Sequence, residues 1–224
     1  HGGLLVSRDG GASWVATSLQ NADAMALAIP PSDPQIIYAA GHNVFFKSAD
    51  GGQTWSQVLT DLPRLDIHGF AIDPKNASRV FAHVVGFGVF ESRNGGEHWE
   101  LLNSSIALLN LAMGESEGAL YGTAGQNGFW KSAEGGKTWS RLGSLPGQGA
   151  IAVAIDHALG RLYVTTLGEG AGLYGSADQG ETWTPLGLKG VLLAIAVSPH
   201  DPQQLVAVDE AGSVYASRDG GETW

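Results

Sequence analysis

Between Asp61 and Phe70 the chain reads Asp61-Leu62-Pro63-Arg64-Leu65-Asp66-Ile67-His68-Gly69-Phe70, so two carboxylates, a guanidinium and an imidazole fall within ten positions. A carboxylate only accepts hydrogen bonds, a guanidinium only donates in a fixed fork, and an imidazole can do either. That set suits a corner that hydrogen-bonds a hydroxyl-rich glycan or a peptide, with Asp66 and His68 as its polar contacts and Arg64 beside them. The same stretch also reads as a turn that satisfies its own polar groups, with His68 bonded to a neighbouring unit. Other polar residues in comparable loops are His42, Asn43, Gln126, Asn127, Glu169, Asp209 and Glu210, with His83 at a strand end. The spacing of His42, His68 and His83 matches no metal-ligand pattern, so neither a metal nor a cofactor is expected. No catalytic set is complete, and none is assigned.

The elements that must carry these residues are set by a repeated octet. Ser7-Arg8-Asp9-Gly10-Gly11-Ala12-Ser13-Trp14 returns as Ser48 to Trp55, Ser92 to Trp99, Ser132 to Trp139, Ser176 to Trp183 and Ser217 to Trp224. The opening serines lie 41, 44, 40, 44 and 41 residues apart. A period of this size marks a propeller or a solenoid array. Within each octet the acidic or amide residue can fold back onto the N–H groups of the turn, and the glycines allow backbone angles that a Cβ forbids. The closing Trp is a large apolar wedge with one N–H to satisfy. Asp9, Asp50, Asn94, Glu134, Asp178 and Asp219 occupy the third position, and Trp14, Trp55, Trp99, Trp139, Trp183 and Trp224 the last. Exchange of Asp for Asn94 and Glu134 indicates that these positions hold turns and do not act on a substrate.

Each repeat follows one plan. An apolar-Ala-apolar run such as Phe70-Ala71-Ile72 or Ala194-Ile195-Ala196-Val197 suits a crowded inner strand. A Pro/Asp/Asn turn, a second strand such as Ile36-Ile37-Tyr38-Ala39, a glycine-rich loop and a third strand such as Val44-Phe45-Phe46-Lys47 follow. The octet and a strand opening at Trp complete the unit. Four short strands in about 42 residues make a propeller blade. The first unit holds only its third and fourth strands, and the last stops after its third. The expected fold is therefore an all-β propeller of four-stranded antiparallel blades, a single domain over 1–224, six-bladed with an incomplete closing blade, in a chain partial at both ends.

The octet resembles the Asp-box, or bacterial neuraminidase (BNR), repeat S-x-D-x-G-x-T-W, and the resemblance covers the whole chain. Propellers with this repeat include sialidases, xyloglucan-degrading hydrolases, the sortilin ectodomain and the photosystem II assembly factors, so the resemblance implies the fold and leaves the activity open. It implies an extracytoplasmic location, secreted or periplasmic. In such blades the octets and Pro-rich turns share one rim, and ligands sit on the opposite face. A sialidase needs three arginines together, yet Arg8, Arg93 and Arg218 lie inside octets and Arg79 and Arg161 begin second strands near the same rim. Only Arg64 and Arg141 remain for the other face. The leading expectation is a non-catalytic propeller, a monomer, that binds a protein or a glycan on its octet-free face. The alternative is a glycoside hydrolase drawing a carboxylate pair from Asp66, Glu169, Asp209 and Glu210.

Composition narrows the partners further. The net charge is −10, with 12 Lys and Arg against 22 Asp and Glu, and no basic cluster that would favour nucleic acid or an anionic membrane surface. The longest apolar run, Val191 to Val197, is too short to insert across a bilayer. With no Cys there is no disulfide, thiol nucleophile or thiolate metal site.

Overall fold

The computed structural model describes residues 3–9, 11, 13–116 and 118–224. Gly10 and Ala12 of the first octet lie outside the described residues, as do His1, Gly2 and Glu117. The described chain is all-β and forms two compact units, 1–107 and 108–224.

The first unit opens with a two-stranded sheet, β1 (Leu5–Val6) and β2 (Val15–Ala16), and contains two complete blades. One runs through β3 (Asp23–Ala28), β4 (Ile37–His42), β5 (Val44–Ser48) and β6 (Ser56–Gln57). The other runs through β7 (Ile67–Asp73), β8 (Asn76–Val84), β9 (Gly88–Ser92) and β10 (Glu100–Asn103). The second unit contains β11 (Asn110–Met113), β12 (Leu120–Thr123), β13 (Phe129–Ser132) and β14 (Ser140–Leu142) as one blade. A further blade is made of β15 (Gly149–Asp156), β16 (Arg161–Leu167), β17 (Gly172–Ser176) and β18 (Thr184–Lys189). The unit ends in three strands, β19 (Leu192–Val197), β20 (Leu205–Asp209) and β21 (Val214–Ser217). Every pairing is antiparallel between sequence neighbours, as propeller blades require. The strand count per repeat and the two short end sheets agree with the repeat plan.

The second strand of each blade is buried on both faces and therefore carries no alternating polar residues: Tyr38, Ala39 and Ala40 are each 0% exposed, as are Val80, Phe81 and Ala82. In the first unit the core gathers Tyr38, Phe45, Phe70, Ile72, Val84 and Trp99. In the second, Tyr121, Phe129, Val153, Leu162 and Val164 form one cluster, and Tyr163, Leu173, Leu186, Ile195 and Leu205 another.

The octets fold as self-bonded turns. In the second copy Ser48 Oγ donates to Asp50 Oδ1 (2.8 Å) and accepts the Gly52 N–H (2.8 Å), while Asp50 Oδ1 accepts the Thr54 N–H (2.9 Å). Asn94 accepts the His98 N–H (3.0 Å), and the longer Glu134 still reaches the Thr138 hydroxyl (2.7 Å). This local pattern serves Asp, Asn and Glu alike. Some closing tryptophans reach back to the preceding blade: Trp99 packs against Phe45 there and against Phe70 of its own blade, and Trp183 lies edge-on to Phe129. Trp224 Nε1 donates to Leu186 O at 2.7 Å. In these three copies the octet closes its own blade tip and wedges it against its neighbour.

Candidate functional site

Strand register fixes which end of each blade is free of octets. Ile37 pairs with Ser48, the first octet residue, whereas Asp23 pairs with His42 and Gly41 with Val44 at the other end of the sheet. In the next blade Val80 pairs with Ser92 at the octet end, and Ile67, Val84 and Gly88 meet at the opposite end. The octet-free ends of these two blades hold a cluster of histidine, aspartate and arginine side chains.

Its frame is backbone. Residues Leu65 and Asp66 are strapped between the two blade tips: the Asn43 N–H donates to Leu65 O (2.8 Å), and the Val85 N–H donates to Asp66 O (2.9 Å). His42 and Asp66 also pair as an isolated bridge. Asn43 turns the tight β4–β5 connection with φ +56°, a left-handed value that Asn tolerates because its side chain is short and polar. His68 is placed by a bulge. Ile67 pairs with Val84 and Gly69 with His83, so His68 is the extra residue, and a bulge swings such a side chain out of the regular alternation.

The side chains then converge. His42 Nδ1 lies 2.8 Å from Asp23 Oδ2, and His42 Nε2 lies 3.1 Å from His68 Nε2. Asp66 Oδ1 is 3.4 Å from His42 Nε2 and 3.5 Å from His68 Nε2, while Asp66 Oδ2 is 3.6 Å from Arg64 Nε. Asp66 Oδ1 has no hydrogen-bond partner although it is closed to solvent. The His42 side chain is 41% exposed and Asp66 17% exposed, so the cluster opens to solvent through His42 and Arg64.

His83 is a different case. It is buried on β8 opposite Gly69, and desolvation, aided by the nearby His68, pushes its pKa down to about 4. It is therefore a neutral packed imidazole with Nδ1 unpartnered. Phe87, 42% exposed, projects from the β8–β9 turn at the same octet-free end. The remaining expected residues belong to the second unit. Asp209 spends its carboxylate on its own turn, accepting the Ala211 and Ser213 N–H groups (2.9 and 2.8 Å) and the Tyr215 hydroxyl (3.0 Å), which lowers its pKa. Glu169 and Glu210 are exposed on loops between second and third strands.

Asp23 was absent from the sequence-based candidates, yet the signal is readable once the bulges are known. It stands two residues before Met25, the bulged residue of β3, as Asp66 stands two residues before His68. Both aspartates thus occupy one repeat position. At the octet end of the same unit a shallow cleft of about 420 Å³ is lined by Glu91, Arg93, Asn94, His98, Trp99 and Glu100. Its polar groups are largely engaged: Glu91 pairs with Arg79 (2.6 Å) and Arg93 (3.1 Å), and His98 with Asp61.

Comparison with known proteins adds the following. The family model of the DUF6242 beta propeller domain matches residues 115–224. A probable oligoxyloglucan-reducing end-specific xyloglucanase of Neosartorya fischeri is 24% identical, covering 99% of this chain and 30% of that protein. Sortilin of Rattus norvegicus is 25% identical, covering 79% of this chain and 22% of sortilin. Among solved structures, the GH74 enzyme of Niastella koreensis superposes with a TM-score of 0.66 at 20% identity, over 90% of this chain and 37% of that one. The chain therefore spans about a third or less of the length of these relatives.

Proposed function

Because this chain is a β-propeller chain of the Asp-box (BNR) repeat superfamily, we propose that it is a glycan-binding propeller that takes a hydroxyl-rich polysaccharide at the octet-free ends of its strands. The observation that carries the proposal is the His42–Asp66–His68 cluster, open to solvent, flanked by Asp23 and Arg64 and sharing its end of the sheets with exposed Phe87. Carboxylates and imidazoles in fixed geometry take the hydroxyls of a sugar, and an aromatic face takes its apolar C–H side. The match to xyloglucanases supports a β-glucan of that kind as the ligand. The proposal includes a six-bladed monomer and an extracytoplasmic location, where such polymers occur.

A second reading, hydrolysis, is favoured by one specific feature: Asp23 and Asp66 flank His42 on opposite sides of its ring. Glycosidases place two carboxylates across a scissile bond. Here, however, an imidazole fills the space between the two, and Arg64 adds a positive charge beside Asp66, which suits binding better than acid catalysis.

Titration of the full chain with xyloglucan oligosaccharides, alongside cellulose and mannan oligosaccharides, tests both readings if released reducing ends are followed in the same samples. Binding without turnover is expected, with affinity falling about 10–100-fold in Asp66→Asn and His42→Ala, the loss of a charge-assisted hydrogen bond. Unchanged affinity in both variants refutes the site. Reducing-end release abolished by Asp23→Asn or Asp66→Asn replaces binding with hydrolysis.

A further inference from the structure

With both imidazoles neutral, the protons of the cluster leave one buried acceptor unserved. Asp23 as a carboxylate can only accept, so the 2.8 Å contact places the proton of neutral His42 on Nδ1 and leaves a lone pair on Nε2. That lone pair faces His68 Nε2 at 3.1 Å and Asp66 Oδ1 at 3.4 Å. One His68 N–H can serve the first contact. Nothing then serves Asp66 Oδ1, which is out of solvent and takes no hydrogen bond. An unpaired buried acceptor beside two imidazole nitrogens costs free energy that a single cation at their centre would remove.

The geometry suits such a cation. The ligand atoms of His42, Asp66 and His68 form a triangle with edges of 3.1, 3.4 and 3.5 Å. Zinc with bonds of about 2.0–2.2 Å to nitrogen and oxygen, held tetrahedrally, requires ligand–ligand edges of about 3.3–3.5 Å. Octahedral magnesium, at about 2.0–2.1 Å, requires edges nearer 2.9 Å and an all-oxygen shell, and calcium also takes oxygen. Two imidazoles and one carboxylate are a zinc donor set. The outer partner is present as well: Asp23 accepts from Nδ1 of His42, the contact by which carboxylates orient metal-bound histidines and raise their basicity.

We propose that His42 Nε2, His68 Nε2 and Asp66 Oδ1 form a three-ligand zinc site, with Asp23 as its outer-shell carboxylate and a fourth position open to water or to a ligand oxygen. The site is assembled by two neighbouring blades, with His42 ending β4 and Asp66 and His68 entering β7. Zinc therefore pins these blades together at the end where no octet does so. Arg64, 62% exposed and 3.6 Å from the other oxygen of Asp66, adds a donor near the site for an anionic or hydroxyl ligand. The proposal stands on the ligand geometry and does not depend on the glycan reading.

The test uses the full chain without a polyhistidine tag, stripped with a chelator and titrated with zinc by calorimetry, then with cobalt as a spectroscopic substitute. Uptake of one zinc per chain is expected, with the intense visible bands of four-coordinate cobalt and a rise in melting temperature on adding metal. His42→Ala and Asp66→Asn each abolish that uptake, and Asp23→Asn weakens it about 10–100-fold. His98→Ala and His157→Ala remove two histidine–carboxylate pairs elsewhere, with Asp61 and Glu115, and leave uptake unchanged. Circular dichroism of each variant separates lost ligation from lost folding, and His42, exposed at a strand end, can be truncated without opening the core. Absence of zinc uptake, or uptake that persists in a folded His42→Ala/Asp66→Asn double variant, overturns the proposal.

Discussion

Replacing one octet tryptophan at a time gives a direct measure of what the octet does. Trp99 and Trp14 occupy the same repeat position and make the same local bond, Nε1 donating to the glycine carbonyl three residues back, at 2.8 Å to Gly96 and 3.1 Å to Gly11. Their surroundings differ. Trp99 is 7% exposed and packs on Phe45 and Phe70 with a further bond to Thr60 Oγ1 at 2.9 Å, whereas Trp14 is 48% exposed. Truncating a buried Trp to Ala costs about 3–5 kcal/mol, because transfer and cavity terms add. Losing one exposed hydrogen bond and some half-exposed area costs about 0.5–1.5 kcal/mol. With a urea dependence of about 2 kcal/mol per molar, Trp99→Ala lowers the unfolding midpoint by roughly 1.5–2.5 M and Trp14→Ala by less than about 0.8 M. Urea titrations followed by far-UV circular dichroism read both. If the two variants lose the same stability, the wedge against the neighbouring blade contributes nothing and the octet is only a local turn.

Other consequences can be checked on the same footing. Ser92→Ala removes the oxygen that accepts the buried Gly96 N–H at 2.9 Å and should cost about 1–3 kcal/mol in urea unfolding; no loss would mean the N–H finds another acceptor. Gly96→Ala is expected to destabilise far more than Gly86→Ala, since both have positive φ but a Cβ at Gly96 meets Phe45 at 2.4 Å and at Gly86 meets nothing, and equal melting temperatures would contradict this. Asp9, Asp50, Asp178 and Asp219 have pKa values held down at about 2, first by the hydroxyl of the octet Ser or Thr and then by its N–H. Their unfolded values are higher, so the stability they contribute is full above about pH 4 and is lost as pH falls towards 2. Asp50→Asn should flatten that acid slope in the urea midpoint, and an unchanged slope would place the acid sensitivity elsewhere. Arg79 sits between Asp73 (3.3 Å) and the buried Glu91 (2.6 Å), so Arg79→Met leaves buried carboxylates short of a partner and should cost about 3–5 kcal/mol.

What the amino-acid order determined is everything that repeats at short range. The Ser hydroxyl, the acidic or amide side chain and the second Gly N–H of the octets bond within five residues, so the turn follows from spacing alone, while the first Gly N–H donates to a carbonyl 16 or 17 residues earlier, as Gly51 does to Gln35 O. The apolar runs followed the same logic, since a strand buried on both faces, such as Tyr38-Ala39-Ala40, must be small or apolar throughout. Polar convergence was not local, and there the spacing was silent. His42 and His68 are 26 positions apart and match no ligand pattern, yet the ends of β4 and β7 bring them to 3.1 Å. His83 lies closer to His68 in sequence than His42 does, but regular pairing with Gly69 keeps it inside, where desolvation holds it neutral. His68 itself faces the cluster because a bulge adds one residue to β7, and a one-residue shift reverses the face a strand side chain occupies. Periodicity counts residues along one strand; which side chains share a corner depends on the register and irregularities of two neighbouring sheets, and only the folded chain sets those.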